Sequence, residues 1–290
     1  MTLADFLSQH SAVITVTLTR VRGSSPREVG ATMYVADNAM RGTIGGGQLE
    51  YMAIDKARAL LRKGVTEAEM DVPLGPEIGQ CCGGRVELSL TLMDRASRAA
   101  ALEADAKAQA ARPVVQIHGA GHVGRALAQF FAHLPVRAIL IDSRADELSQ
   151  ATDQVEHCLC PLPEAELRQA PAGSAFIVLT HDHALDFLLA SEALARGDAA
   201  YVGMIGSATK RARFDRFCRD TAPHISTAAL TCPMGAQGSA DKRPEIIAAF
   251  ITAEVMAALT SHQNSKRLHK NKKSPNHPTV RTSPNDDPTL

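Results

Sequence analysis

The sequence carries no excess of charge of either sign, with 31 Lys and Arg against 31 Asp and Glu. A chain that binds nucleic acid usually concentrates basic residues on one face or segment, so this balance predicts no nucleic-acid partner. Uninterrupted apolar runs are lacking too; none approaches the ~20 residues needed to span a bilayer. Met1-Thr2-Leu3-Ala4-Asp5 has neither the basic segment nor the apolar core of a signal peptide. These absences predict a cytoplasmic protein without membrane association. Cysteine is scarce, six in 290 residues, which excludes a disulfide scaffold and reads as reduced thiols. The charge balance conceals one asymmetry. From His262 onward there are six Lys/Arg and two Asp/Glu, and apolar residues vanish. That composition predicts a disordered, solubilising tail over 262–290.

What the sequence does have is glycine in ordered places. Val114-Val115-Gln116-Ile117-His118 reads as a buried strand running into Gly119-Ala120-Gly121-His122-Val123-Gly124. In this G-x-G-x-x-G pattern Gly119 permits the tight turn, Gly121 lets a phosphate reach the backbone, and Gly124 lets the helix lie close on its strand. The helix N-terminus then faces an anion. Val123, Leu127, Phe130, Phe131 and Leu134 form one apolar helical face, and Pro135 ends it. A second strand, Val136 to Asp142, closes on an acid about twenty residues beyond the turn, where a ribose-binding carboxylate belongs.

The first third of the chain is organised differently. Leu3 to Ser8 suggests a short helix, and Val13 to Arg20 alternates apolar and Thr residues, as a half-buried strand does. A polar turn, Gly23 to Glu28, carries one basic side chain, Arg27, before a second strand from Ala31 to Val35. Gly45-Gly46-Gly47 precedes a helix with Leu49, Met52, Ala53, Ala57, Leu60 and Leu61 inward. Three glycines at a helix start cost backbone entropy. Backbone amides crowding an anion or polar heterocycle would account for them, and so would a close helix–strand crossing. Cys81 and Cys82 lie in a glycine-rich polar loop, unlike buried structural cysteines, so a thiolate there could be a soft-metal ligand or a nucleophile. Val86, Leu88, Leu90 and Leu92 make an alternating strand after it.

Beyond the Ala-rich, charged stretch Arg95–Arg112, strands and helices alternate. Phe176 to Thr180 is a buried strand, with His181-Asp182-His183 at its carboxyl end, where open α/β sheets bind ligands. A metal at those histidines would need a further ligand. Cys158-x-Cys160 is too closely spaced for a usual zinc pair and reads as structural. Pro161 and Pro163 break the segment after it. Tyr201 to Ser207 is another strand, and Lys210 and Arg211 open the next helix against its dipole, a mild cost that anion binding would offset. Pro244 can sit at the first position of the last helix. The pattern predicts an α/β chain: a small N-terminal α+β domain over 1–95 and a helical connector over 96–112. A Rossmann-type doubly wound domain with a parallel sheet occupies 113–261, with the tail behind it.

Several motifs, in order, resemble the XdhC/CoxI family over about residues 10 to 260. They are Gly23-Ser24-Ser25-Pro26-Arg27-Glu28, Gly42-Thr43-Ile44-Gly45-Gly46-Gly47 with Glu50, and Gln80-Cys81-Cys82-Gly83-Gly84. The second half adds the Gly119–Gly124 turn, Thr180-His181-Asp182-His183 with Asp186, and Gly203-Met204-Ile205-Gly206-Ser207 with Lys210. The resemblance implies an accessory factor for xanthine dehydrogenase rather than an enzyme. Such a factor binds the molybdenum cofactor, holds this molybdopterin group while a cysteine desulfurase exchanges its terminal oxo ligand for sulfur, and passes it to the molybdenum subunit of the dehydrogenase. On that reading Cys82 lies near molybdenum, with Cys81 its neighbour. The cofactor-binding residues expected are Arg27, Gly45, Gly46, Gly47, Gly119, Gly121, Gly124, Asp142, His181, Ser207 and Lys210. A homodimer is compatible with it. The chain departs from the family at Gly238 to Glu245, where only Pro244-Glu245 of a Thr-Pro-Glu run remains. The competing expectation is an NAD(P)-dependent oxidoreductase using the same turn, which gives no account of the triple glycine or the paired cysteines.

Overall fold

The structure, a computed structural model, describes residues 1–75, 83–236, 239 and 241–272, with 266–272 described by backbone alone. The chain divides into two compact units, Met1–Ala111 and Arg112–Leu290.

The first unit runs α1 (Leu3–Gln9), β1 (Ile14–Arg22), β2 (Thr32–Val35), β3 (Met40–Gly42), α2 (Gly47–Lys63), β4 (Glu67–Pro73), β5 (Arg85–Leu92) and α3 (Arg95–Ala110). Its sheet is antiparallel, in the order β3-β2-β1-β5-β4. The alternation read from the sequence sets the faces. Ile14, Val16, Leu18, Val86, Leu88 and Leu90 are buried against Leu49, Ala53, Ala57 and Leu60 of α2. At the end of β1 the pairing with β5 slips between Leu18 and Arg20, a bulge that bends the strand as it enters the Gly23–Glu28 turn. The connector is a helix fastened to this unit: the Arg98 guanidinium donates to the carbonyls of Leu7, His10 and Ser11.

The second unit runs β6 (Val114–His118), α4 (His122–Ala132), β7 (Arg137–Asp142), α5 (Ala145–Leu148), β8 (Glu156–Leu159), α6 (Pro163–Gln169), β9 (Ala175–Val178), α7 (His183–Ala195), β10 (Tyr201–Met204), α8 (Ala208–Thr221), β11 (Leu230–Thr231) and α9 (Pro244–Lys272). Its strands are all parallel, in the order β11-β10-β9-β6-β7-β8. The strand order reverses between β6 and β9, which is the Rossmann arrangement with its ligand-binding switch point there. Every residue of β6, β9 and β10 is buried, as expected where helices cover both faces. One core joins Val115, Ile117 and Leu140 to α4 and α9; the other joins Phe176, Val178 and Met204 to α6, α7 and α8.

Three local expectations are corrected. Phe130 is exposed, whereas Leu127 and Phe131 of the same face are buried in the core. Pro163 breaks nothing: it occupies the first turn of α6, where its missing N–H is no loss. The last helix continues past His262 as far as Lys272, so the tail's first part is helical; residues 273–290 lie outside the described residues. By length and composition Pro244–Ser265 could cross a membrane. Here Ala248, Ile251, Val255 and Leu259 are instead buried in the core, and the Glu254 carboxylate accepts from Tyr201 Oη at 2.5 Å and Gly235 N at 3.1 Å.

Candidate functional site

In the first unit, motifs distant in sequence meet at one end of the sheet. Ser24 bridges to Gly83, and a Cβ on Gly84 would lie 2.0 Å from the Ser24 carbonyl oxygen. A Cβ on Gly45 would lie 2.7 Å from Pro26 Cγ. Glycine is therefore demanded twice by contact, between turns that come after β1, before α2 and before β5. Leu74 and the Gly83-Gly84 pair exchange hydrogen bonds, Gly83 N to Leu74 O at 2.9 Å and Leu74 N to Gly84 O at 2.7 Å. Cys81 and Cys82, next to Gly83 in the chain, lie outside the described residues. Arg27 is exposed, and Ser25 Oγ is buried with no hydrogen-bond partner among the described residues.

The triple glycine already holds an anion, one from its own chain. Glu50, in the first turn of α2, accepts from Thr43 Oγ1 and from Ile44 N at 3.1 Å. Burial opposes ionisation of Glu50 most strongly, yet the hydrogen bonds from Thr43, Gly46, Ile44 and Gly45 outweigh it and hold the carboxyl below its ordinary range. Gly46 keeps an open flank, with no atom within 4 Å of a Cβ built there.

In the second unit the G-x-G-x-x-G turn divides its labour. Gly119 has φ +125 and no room for a Cβ, which would lie 2.4 Å from Leu179 O; a Cβ on Gly124 would lie 1.9 Å from Gly119 O. Gly121 alone faces open space. It caps α4 without any side-chain hydrogen bond, and no acid occupies that helix's first turn. The amides there remain available to an anion. Asp142 is committed elsewhere. One oxygen accepts from Ala120 N at 2.7 Å and Arg144 Nη2 at 2.8 Å, the other from Arg144 N and Nε, each at 3.0 Å. Burial works against its charge, but these bonds keep its carboxyl below the usual value.

A crevice at the switch point is lined by His118, Gly119, Asp142, Pro161, Thr180 and His181, among others. His118 is fully buried, and burial lowers its pKa from 6.5 to about 3. Gln116 donates through Nε2 to Glu166 O at 3.0 Å, so its Oε1 takes the His118 Nε2 proton at 3.1 Å. His118 Nδ1 is thereby left as a bare acceptor, buried and unpartnered among the described residues. The sequence pattern marks His118 only as the last strand residue. His181 is exposed at the crevice mouth. Two other expected ligand residues have structural partners. Ser207 Oγ caps α8 through Lys210 N, and Lys210 Nζ pairs with Asp186, which also accepts from Thr180 N at 2.8 Å and Thr180 Oγ1 at 2.7 Å.

Residues 6–71 match the XdhC and CoxI family, and residues 115–255 match the XdhC Rossmann domain. The chain belongs to the XdhC/CoxI family. Among its relatives is the Escherichia coli (strain K12) uncharacterized protein YqeB, 26% identical over 245 residues, 81% of this chain. The chain spans only 41% of the length of YqeB. A solved structure from Bacillus halodurans, described as a xanthine dehydrogenase, superposes with a TM-score of 0.74 at 17% identity, over 90% of this chain and 96% of that one. That likeness concerns the fold. The first matched stretch carries the Gly23–Glu28 turn and the triple glycine, and the second carries the Gly119–Gly124 turn.

Proposed function

We propose that this chain is a cytoplasmic maturation factor for xanthine dehydrogenase that binds the molybdenum cofactor and delivers it to the molybdenum subunit. The observation carrying this reading is the meeting of Ser24–Pro26, Gly45 and Gly83-Gly84 at one end of the first unit's sheet. The fit is chemical. An exposed guanidinium at Arg27, a Ser25 hydroxyl without a partner among the described residues and the open flank of Gly46 suit a polar, anionic pterin, and Cys82 and Cys81, which precede Gly83 in the chain, would supply the sulfur. Bound there, the cofactor would offer its molybdenum for exchange of an oxo ligand for sulfur by a cysteine desulfurase. The chain's part is to hold, orient and shield. Gly121 and the first-turn amides of α4, which no side chain caps among the described residues, suit a terminal phosphate or a nucleotide. The engagement of Asp142 with Ala120 and Arg144 counts against a ribose-binding role for it, and so against the NAD(P) oxidoreductase alternative.

The test is to purify the protein from cells that make molybdopterin and measure pterin, molybdenum and nicotinamide after gel filtration, alongside activation of apo-dehydrogenase. Cys82→Ala should lose molybdenum and activation without unfolding, and Cys81→Ala should lose less if one sulfur suffices. Cys218→Ala is the control, because Cys218 is buried in the second unit's core. Wild-type behaviour of Cys82→Ala in both measurements would remove the cysteine loop from the site. NAD(P)H formation from xanthine by the isolated chain would overturn the reading altogether.

A further inference from the structure

By spacing alone, Cys158-x-Cys160 is too tight for a zinc knuckle. The fold supplies a different geometry. In a strand, side chains at i and i+2 point to the same face, so a pair spaced this way can chelate without a turn between them. Cys158 lies in β8 and Cys160 just beyond it, where Cys160 N donates to Asp142 O at 3.0 Å. The third member comes from α6, the helix that Pro163 opens. Glu166 sits in its first turn, anchored by the Gln116 amide on its carbonyl.

We propose that Cys158, Cys160 and Glu166 form a zinc-binding site. The two sulfurs and a carboxylate oxygen all lie within 4.8 Å of one another, and all three residues are half-buried. Tetrahedral zinc, with bonds of about 2.3 Å to sulfur and about 2.0–2.2 Å to oxygen, sets its ligand atoms about 3.5–3.8 Å apart, so side-chain rotations that draw the three groups together close the set. The surroundings of the pair point the same way. A merely structural pair would sit among apolar groups rather than beside a carboxylate. Two thiolates with one carboxylate favour zinc over magnesium or calcium, which prefer all-oxygen sets. Three protein ligands leave a fourth position for water or an incoming ligand.

The experiment uses the full chain carrying Cys81→Ala and Cys82→Ala, so that the other cysteine pair cannot report. Reduced, metal-free protein is titrated with Zn2+ against a chromophoric chelator, and with Co2+ to look for thiolate-to-cobalt charge-transfer absorption. The expected result is one equivalent of tightly held metal and a clear cobalt band, both lost in Cys158→Ser and in Cys160→Ser. Removing a group that only supports a ligand typically costs about 10–100-fold in affinity, so Glu166→Gln should weaken binding by at least about tenfold. Should a serine variant fail to fold, Zn2+ protection of Cys158 and Cys160 from alkylation, mapped by mass spectrometry in the parent chain, gives the same answer. No uptake, no protection, a full equivalent retained by both serine variants, or unchanged affinity in Glu166→Gln would each overturn the proposal.

Discussion

At the scale of single residues, the glycines of the Rossmann turn separate packing from ligand access. Gly124→Ala should destabilise the second unit by about 1–3 kcal/mol or more, the range for overpacking, because its Cβ would meet Gly119 O at 1.9 Å. Gly121→Val should leave the fold largely intact and abolish anion binding, since nothing lies within 4 Å of its Cβ position. Urea unfolding beside a nucleotide and pterin binding assay checks both, and full affinity in a folded Gly121→Val would make the turn structural only. His118 gives a pH signature. Its folded pKa, about 3, lies below the ordinary 6.5, so between those values the unfolded chain binds the extra proton. Stability from this residue is therefore intact above pH 6.5 and drains away as pH falls toward 3, by about 2 kcal/mol between pH 7 and pH 5. Urea melts at the two pH values should show that loss in the parent, and His118→Leu should lack it. An equal loss in the variant would mean that other groups carry it.

At the scale of elements, the first turn of α7 and the start of α8 are joined by the Asp186–Lys210 pair. Asp186 is fully buried, so Lys210→Met leaves an uncompensated charge and should cost about 3–5 kcal/mol. Lys210→Met with Asp186→Asn together should cost less than Lys210→Met alone, a coupling that a double-mutant cycle measures; additive losses would show the pair to be independent. The strands β1, β5, β6, β7, β9 and β10 are legible in the sequence because alternation or unbroken apolar runs announce them. The strand β4 is not. Glu67, Glu69 and Asp71 alternate with Ala68, Met70 and Val72, but only Val72 is fully buried, as suits an edge strand guarded by charge. The helix α6 is hidden because Pro163 has two opposite meanings, breaker or first residue, and only tertiary context chooses. In the candidate sites the motifs are readable in the sequence, but the partners of Glu50, Asp142 and Lys210 depend on loops brought together from far along the chain.

At the scale of the whole molecule, each unit buries its own core, and burial along α9 ends at Leu259 among the described residues. Ending the chain after Ser265 should change stability by no more than about 0.5 kcal/mol, the usual effect of changes away from a packed core. A larger fall in thermal midpoint would mean that the terminal segment docks. Both units share one device: a carboxylate of the chain's own holds a family loop, Glu50 the Gly42–Gly47 loop of the first, Asp142 the Gly119–Gly124 turn and Asp186 the Thr180 turn of the second. Amide hydrogens of Ile44, Ala120 and Thr180 should accordingly exchange slowly in ligand-free protein, and rapid exchange at all three would refute it. The thermodynamic consequence concerns entropy. Fixing a loop's backbone costs roughly 1–2 kcal/mol per residue, and here that ordering is completed when the chain folds. A ligand arriving at these three loops meets backbone with little conformational freedom left to lose, so its binding energy there goes into affinity rather than into freezing them.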